Sequence, residues 1–277
     1  MFRKKPPKWK EKTVTPDEVL EKIEPGQHIF IGTGAAEPRT LINSLMDAKT
    51  GNLQDLTLTQ LVSFGDAISL KSLQSKTYRL RTFFSGWVSS DAVTRGLVDM
   101  IPSRFSAIPK LIKTGQVPID VAFVQVSPPN QSGFCSLGLG VDVARRAMAR
   151  ADLVVAEINE QTPFTFGDTF VPLDDFDMIV EATEPPLYFP RFEVAPVFDR
   201  LAENVAGNID DGSCLAFTFG QVFEALPKYL ANKKDLGLHT PFVTDAVLEL
   251  VKSGAVTNRR KGLFRGRTLT AYALGSR

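Results

Sequence analysis

Short apolar runs alternate along this chain with segments whose apolar residues recur every three or four positions, the marks of buried strands and amphipathic helices. Thr15-Pro16-Asp17-Glu18 predicts a helix start, with Thr15 as N-cap, Pro16 in the first position and Glu18 closing a capping box. That helix is expected to run to about Ile23. Pro25-Gly26 then turns the chain into a strand, His28 to Ile31, and Gly32-Thr33-Gly34 leads to a helix that Pro38 opens, with Leu41, Ile42 and Leu45 on one face. Further on, the pattern predicts a strand over Tyr78 to Phe84 and helices over Asp91 to Val98 and Ala107 to Lys113. Ile119 to Val126 is a continuous apolar strand of the kind buried on both faces. A helix over Val141 to Ala149 and strands at Leu153 to Ala156 and Met178 to Val180 follow. Helices alternating with apolar strands predict an α/β fold with an open, largely parallel sheet and flanking helices.

Part of the pattern recurs. Asp211-Gly212 precedes an apolar strand, Cys214 to Phe217, then Gly220, then a helix carrying Val222, Phe223, Leu226 and Leu230. Gly26 and Gly34 have the spacing of Gly212 and Gly220, and Asp55-Leu56-Thr57-Leu58-Thr59 is echoed by Asp235-Leu236-Gly237-Leu238-His239. Two such matches in the same order suggest a duplicated unit. The proline-rich stretch from Glu184 to Pro190 breaks the alternation and reads as the crossing between copies, with a helix from Pro196 to about Asn208 leading into the second. The organisation expected is a basic tail (1–14), a first domain (15–190), then a crossing helix and the beginning of a second domain (191–277) that ends with the strand Thr268 to Leu274.

Composition narrows the partners. The 277 residues are 43% hydrophobic and 23% charged, with a net charge of +1, so nothing in the balance points to nucleic acid or a charged membrane surface. The one marked charge run, Arg3-Lys4-Lys5 with Lys8, Lys10 and Lys12, reads as a solvated tail. No stretch approaches the ~18 apolar residues of a membrane span. The basic start is followed by no apolar run of a secretory signal. Cys135 and Cys214 have no metal-ligand spacing and suit buried thiols in a reducing compartment, which makes the cytoplasm the expected location.

Three segments carry candidate chemistry. Gln125-Val126-Ser127-Pro128-Pro129-Asn130 through Gly133-Phe134-Cys135-Ser136-Leu137-Gly138 follows a buried strand, where an open α/β sheet places its ligand crevice, or else is a rigid Pro-Pro loop shaping the sheet end. Gly32-Thr33-Gly34-Ala35-Ala36-Glu37-Pro38 offers N–H groups at a helix start, suited to a phosphate, carboxylate or oxyanion, or is a plain turn; Glu37 is its only carboxylate. The third, Asp235 to Asp245, contains His239 and Pro241. The acidic group Asp174, Asp175 and Asp177 reads as a solvated turn rather than a metal site.

These segments resemble the acetyl-CoA hydrolase/acyl-CoA transferase family, of the 4-hydroxybutyrate/acetate CoA-transferase type. Relatives share the Gln-Val-Ser-Pro-Pro loop, its Gly-Phe-Cys-Ser-Leu-Gly continuation, and the Val-Asp opening seen here at Val141-Asp142. The resemblance implies a duplicated α/β protein acting on or binding acyl-CoA thioesters and a small carboxylate, in acetate or short-acyl metabolism, with coenzyme A as substrate or ligand and no metal. It points to Gly32, Gly34, Gln125, Ser127, Gly138, Gly220 and His239 as CoA or substrate contacts, although a lone histidine also fits a structural role. The family's nucleophile is a glutamate, and Pro241 stands at its position. Proline has neither a carboxylate nor a backbone N–H. Thr218 and Phe223 replace a glycine and a proline of the family's acyl-CoA pocket, and Phe166 replaces a histidine. Two readings stay open: an enzyme with another nucleophile, or a catalytically impaired CoA-binding or structural module. Family members are longer, so self-association or a partner completing the second domain is expected.

Overall fold

A computed structural model describes residues 8–62, 68, 78–84 and 92–276. The chain divides into two compact units, Met1–Leu187 and Tyr188–Arg277.

The first unit is built on seven parallel strands: β1 (His28–Ile31), β2 (Leu56–Gln60), β3 (Tyr78–Thr82), β4 (Val98–Met100), β5 (Val121–Val126), β7 (Leu153–Ile158) and β9 (Met178–Glu181). Their order is β4-β3-β2-β1-β5-β7-β9. The chain winds outward from β1 to β4, then crosses back to lay β5 on the other side of β1. The reversal opens a crevice at the carboxyl ends of β1 and β5, the standard ligand position of such sheets. Alternate side chains feed two cores. Phe30, Val124, Val126, Ala156 and Ile158 enter one, and Ile29, Ile31, Leu58, Phe123 and Val155 the other. All six residues of β5 are buried, as its unbroken apolar run predicts.

Helix α1 (Pro16–Leu20) starts with the expected capping box, Thr15 N–H donating to Glu18 Oε2 at 2.7 Å. Helix α2 (Arg39–Asp47) buries Leu41, Ile42 and Leu45 against the second core, while α3 (Ile108–Lys113) and α4 (Ala144–Met148) cover the first. A short antiparallel pair, β6 (Phe134–Ser136) with β8 (Phe170–Pro172), folds over the sheet end.

Three expectations are corrected. Val98 does not end a helix; it opens β4, whose exposed Asp99 and Met100 hide the strand from an apolar pattern, while Asp91 lies outside the described residues. Residues 8–14 are not a solvated tail. Trp9 is only 4% exposed and joins the first core, Val14 N–H donates to Ile179 O at 2.8 Å, and Lys10 pairs with Glu181 at 2.5 Å and Glu160 at 3.0 Å. An indole covering the open flank of β9 removes apolar area and an unpaired strand edge from water. Cys135 is buried as expected, but Cys214 is exposed.

The second unit contains α5 (Pro196–Gly207), β10 (Cys214–Leu215), α6 (Gln221–Leu230), β11 (Gly237–Leu238), β12 (Phe242–Thr244), α7 (Asp245–Lys252) and β13 (Tyr272–Leu274). The strands expected over Cys214 to Phe217 and Thr268 to Leu274 are shorter than that, and β12 was not anticipated. The duplication, by contrast, is visible in the backbone. Gly26 and Gly212 both have φ 81°, and each donates its N–H back to the residue before an aspartate, Gln54 O at 2.9 Å and Lys234 O at 2.8 Å. Those aspartates, Asp55 and Asp235, adopt left-handed φ of 58° and 56°, a region Asp tolerates better than most residues. The parallel register repeats as well, His28 opposite Thr57 and Cys214 opposite Gly237.

Candidate functional site

At the crevice between β1 and β5 the chain leaves β1 through Gly32-Thr33-Gly34-Ala35-Ala36-Glu37, all buried, and enters α2. A Cβ on Gly32 would lie 2.4 Å from Ala36 O, so only glycine fits there. Gly34 has φ 60°. Within the loop, Ala36 N–H donates to Thr33 O at 3.0 Å and Glu37 N–H to Gly34 O at 3.1 Å.

Three long polar side chains hold this loop from beneath, each near the carboxyl end of its strand. Gln60 of β2 donates from Nε2 to Gly32 O at 3.0 Å and to Glu37 Oε2 at 2.8 Å. Gln125 of β5 donates to Glu37 O at 2.8 Å and accepts from Thr162 Oγ1 at 2.9 Å. Glu157 of β7, directly opposite Gln125 in register, accepts Leu41 N–H at 2.9 Å. Pro38 at the N-cap of α2 makes no side-chain cap, so Glu157 supplies the anion and acceptor that a helix start needs. Burial pushes the Glu157 carboxyl up to about 7. The nearby Glu37 charge adds to this, and the Leu41 and Thr40 N–H groups oppose it. Among the described residues, Glu157 Oε1, Gln60 Oε1 and Thr33 Oγ1 are buried without a hydrogen-bond partner.

The Ser127 to Gly138 loop joins the same site. Gly138 has φ 60°, and a Cβ there would sit 2.2 Å from Thr162 Cγ2, the residue whose hydroxyl orients Gln125. Ser127 Oγ donates to Pro128 O at 3.1 Å and accepts Ser136 N–H at 3.0 Å, so its hydroxyl ties the loop to itself. Burial pushes the Cys135 thiol up to about 12, far from a thiolate nucleophile. Thus Gly32, Gly34, Gln125, Ser127 and Gly138 come together. Gln60, Glu157 and Thr162 belong with them and were missed, although Glu157 stands out as a lone charge in the apolar strand β7.

Gly220 and His239 lie in the second unit. Gly220 caps α6 with φ 128°. His239 is exposed, its ring edge-on to Phe264 at 6.3 Å, and its backbone N–H bonds Leu215 O at 3.0 Å. Pro241 is exposed between β11 and β12, where its carbonyl accepts from Tyr272 N–H at 3.0 Å. Phe189, Phe219, Phe242 and Tyr272 pack in a chain with ring centroids 5.3–5.5 Å apart. Phe189 and Phe219 border, with Thr218, Gly220 and Phe223, a space of about 10 Å³, room for roughly one water molecule. Glu224, which also borders it, is paired with Arg191.

Phe166, standing where relatives have histidine, is 84% exposed, and the acidic residues Asp174, Asp175 and Asp177 face solvent. No group of three or more His, Cys, Asp or Glu side chains among the described residues is placed to hold a metal ion. No helix among them is long and apolar enough to cross a membrane.

A parallel α/β sheet whose glycine loop and Pro-Pro loop meet at the strand-order reversal is an open-sheet α/β fold with a candidate ligand site at that end. Residues 2–189 match the acetyl-CoA hydrolase/transferase N-terminal domain, and the chain belongs to that family. It is 35% identical to the 4-hydroxybutyrate coenzyme A transferase of Clostridium kluyveri over 97% of its own length and 62% of that protein. It is 32% identical to the succinyl-CoA:acetate/propanoyl-CoA:succinate CoA transferase of Fasciola hepatica, over 98% of this chain and 56% of that one. Among solved structures, RipA from Yersinia pestis matches with a TM-score of 0.90 at 28% identity, covering 96% of this chain and 64% of RipA. The chain thus spans less than two thirds of the relatives it matches.

Proposed function

We propose that the first unit binds the CoA portion of an acyl-CoA thioester at the glycine loop, as part of a CoA-transferase-type protein of short-acyl or acetate metabolism in the cytoplasm. The observation that carries this reading is the loop itself, held at the strand-order reversal by Gln60, Gln125 and Glu157. A thermal-shift titration tests it: each tenfold excess of ligand over its dissociation constant adds about 1.4 kcal/mol to folded-state stability. Acetyl-CoA or butyryl-CoA at millimolar concentration is expected to raise the melting temperature. No shift with either, or with free CoA, refutes binding.

The second reading, a member impaired in the family's covalent chemistry, is favoured by Pro241 and by the small space, about 10 Å³, left at Thr218, Gly220 and Phe223. Incubation with acetyl-CoA, borohydride reduction and peptide mapping should give no modified carboxylate between Asp235 and Asp245. A modified Glu37 or Glu224 would instead establish a different nucleophile. In the second unit Val197, Leu201, Val205, Leu248 and Val251 leave 56%, 46%, 37%, 43% and 38% of their surface exposed. Such apolar area favours self-association or a partner segment that covers it, so light scattering of the purified chain is expected to show species larger than a monomer.

A further inference from the structure

The glycine turn occurs twice in this chain, and the two copies are held differently. In the second unit the residue matching Gln60 by the Asp55–Asp235 correspondence is Thr240. Its hydroxyl accepts from Phe217 N–H at 2.8 Å and donates to Phe217 O at 2.7 Å, which ties the strand end and reaches no further. In the first unit, by contrast, two amides and a carboxylate are buried against the loop, and such burial is costly wherever the hydrogen bonds are incomplete.

Gln60 and Gln125 stand on either side of β1 and on the same face of the sheet, and Gln125 is opposite Glu157 in register. Between them they accept from or donate to main-chain groups of Gly32, Glu37 and Leu41, at the beginning, the end and just beyond the loop. Gln125 is itself fixed by Thr162, which stands against Gly138 of the neighbouring loop. A set of contacts so distributed fixes the path of the whole loop rather than either terminus.

We propose that Gln60, Gln125 and Glu157 are positioning residues that hold the glycine loop in its binding geometry, so that affinity for a CoA thioester is set one layer below the site. The affinity part rests on the reading of the loop given above; the positioning part does not. The test uses the full chain and the near-isosteric replacements Gln60→Met and Gln125→Met, each of which removes the loop contacts from one side only. Amide hydrogen exchange at Ala36 and Glu37 is expected to speed up at least tenfold in both variants, while the amides of β5 and β7 keep their protection. Acetyl-CoA affinity, by calorimetry, should fall at least tenfold, and the melting temperature should change little at that level of core protection. Unchanged exchange at Ala36 and Glu37 in a folded variant overturns the proposal. Faster exchange with unchanged affinity overturns its functional half. If the unmodified chain binds no CoA thioester, the reading of the loop as a CoA site fails, and the exchange data alone decide the positioning role. Should Gln125→Met not fold, Gln60→Met carries the same comparison from the opposite strand.

Discussion

Replacing Glu157 with glutamine is expected to abolish a loss of stability that the unmodified protein suffers between about pH 5 and pH 8. Burial raises the folded-state carboxyl to about 7 from an ordinary 4.5. The folded protein therefore binds this proton more tightly than the unfolded chain. The stability it lends is complete below the unfolded value and disappears as pH rises through about 7. The interval corresponds to about 3 kcal/mol. Glutamine keeps an acceptor for Leu41 N–H and stays neutral throughout. Urea titrations at half-unit pH steps should give two curves that lie close near pH 5, diverge progressively up to about pH 7 and run parallel above it, the variant being the more stable. Parallel curves over the whole range would show that Glu157 does not titrate as a buried acid.

The second large effect is expected at Gly138→Ala, a loss of about 2–4 kcal/mol. Part is the left-handed backbone, which disfavours a Cβ, and part is overpacking against Thr162 Cγ2 at 2.2 Å. Thr162 cannot turn aside freely, because its hydroxyl donates to Gln125. The double variant Gly138→Ala/Thr162→Ser removes the colliding methyl and keeps the hydroxyl. It should recover at least about 1 kcal/mol in denaturant unfolding, a coupling of the size expected for touching residues. Strict additivity of the two substitutions would mean that the methyl is not the obstacle.

What the sequence revealed follows from how local each signal is. Strand β5 was legible because burial on both faces leaves an unbroken apolar run. The start of α1 was legible because its capping box closes within four residues. The paired turns at Gly26 and Gly212 were legible because a left-handed backbone restricts the residue type. The role of Glu157 was not, since it caps a helix 116 residues away in sequence. Nothing local marks such a contact beyond a charge in an apolar strand. Strand β4 lacks a pattern because two of its three residues face solvent. In the site, the glycines, Gln125, Ser127 and Gly138 could be named from their segments. That Ser127 serves its own loop, and that Phe189, Phe219 and Phe223 close in on Gly220, follows only from packing.

The docking of Trp9 and Thr13 along β9 sets an order of events during synthesis. Lys10 and its partner Glu181 are 171 residues apart, so the Trp9–Thr13 segment, made well before β9, cannot settle until that strand has been made. At ordinary elongation rates that is a wait of roughly ten to thirty seconds. During it the indole is in water and the nascent sheet lacks its last strand. The Trp9–Thr13 segment is thus among the last parts of the first unit to fold, although it is made before any of its strands.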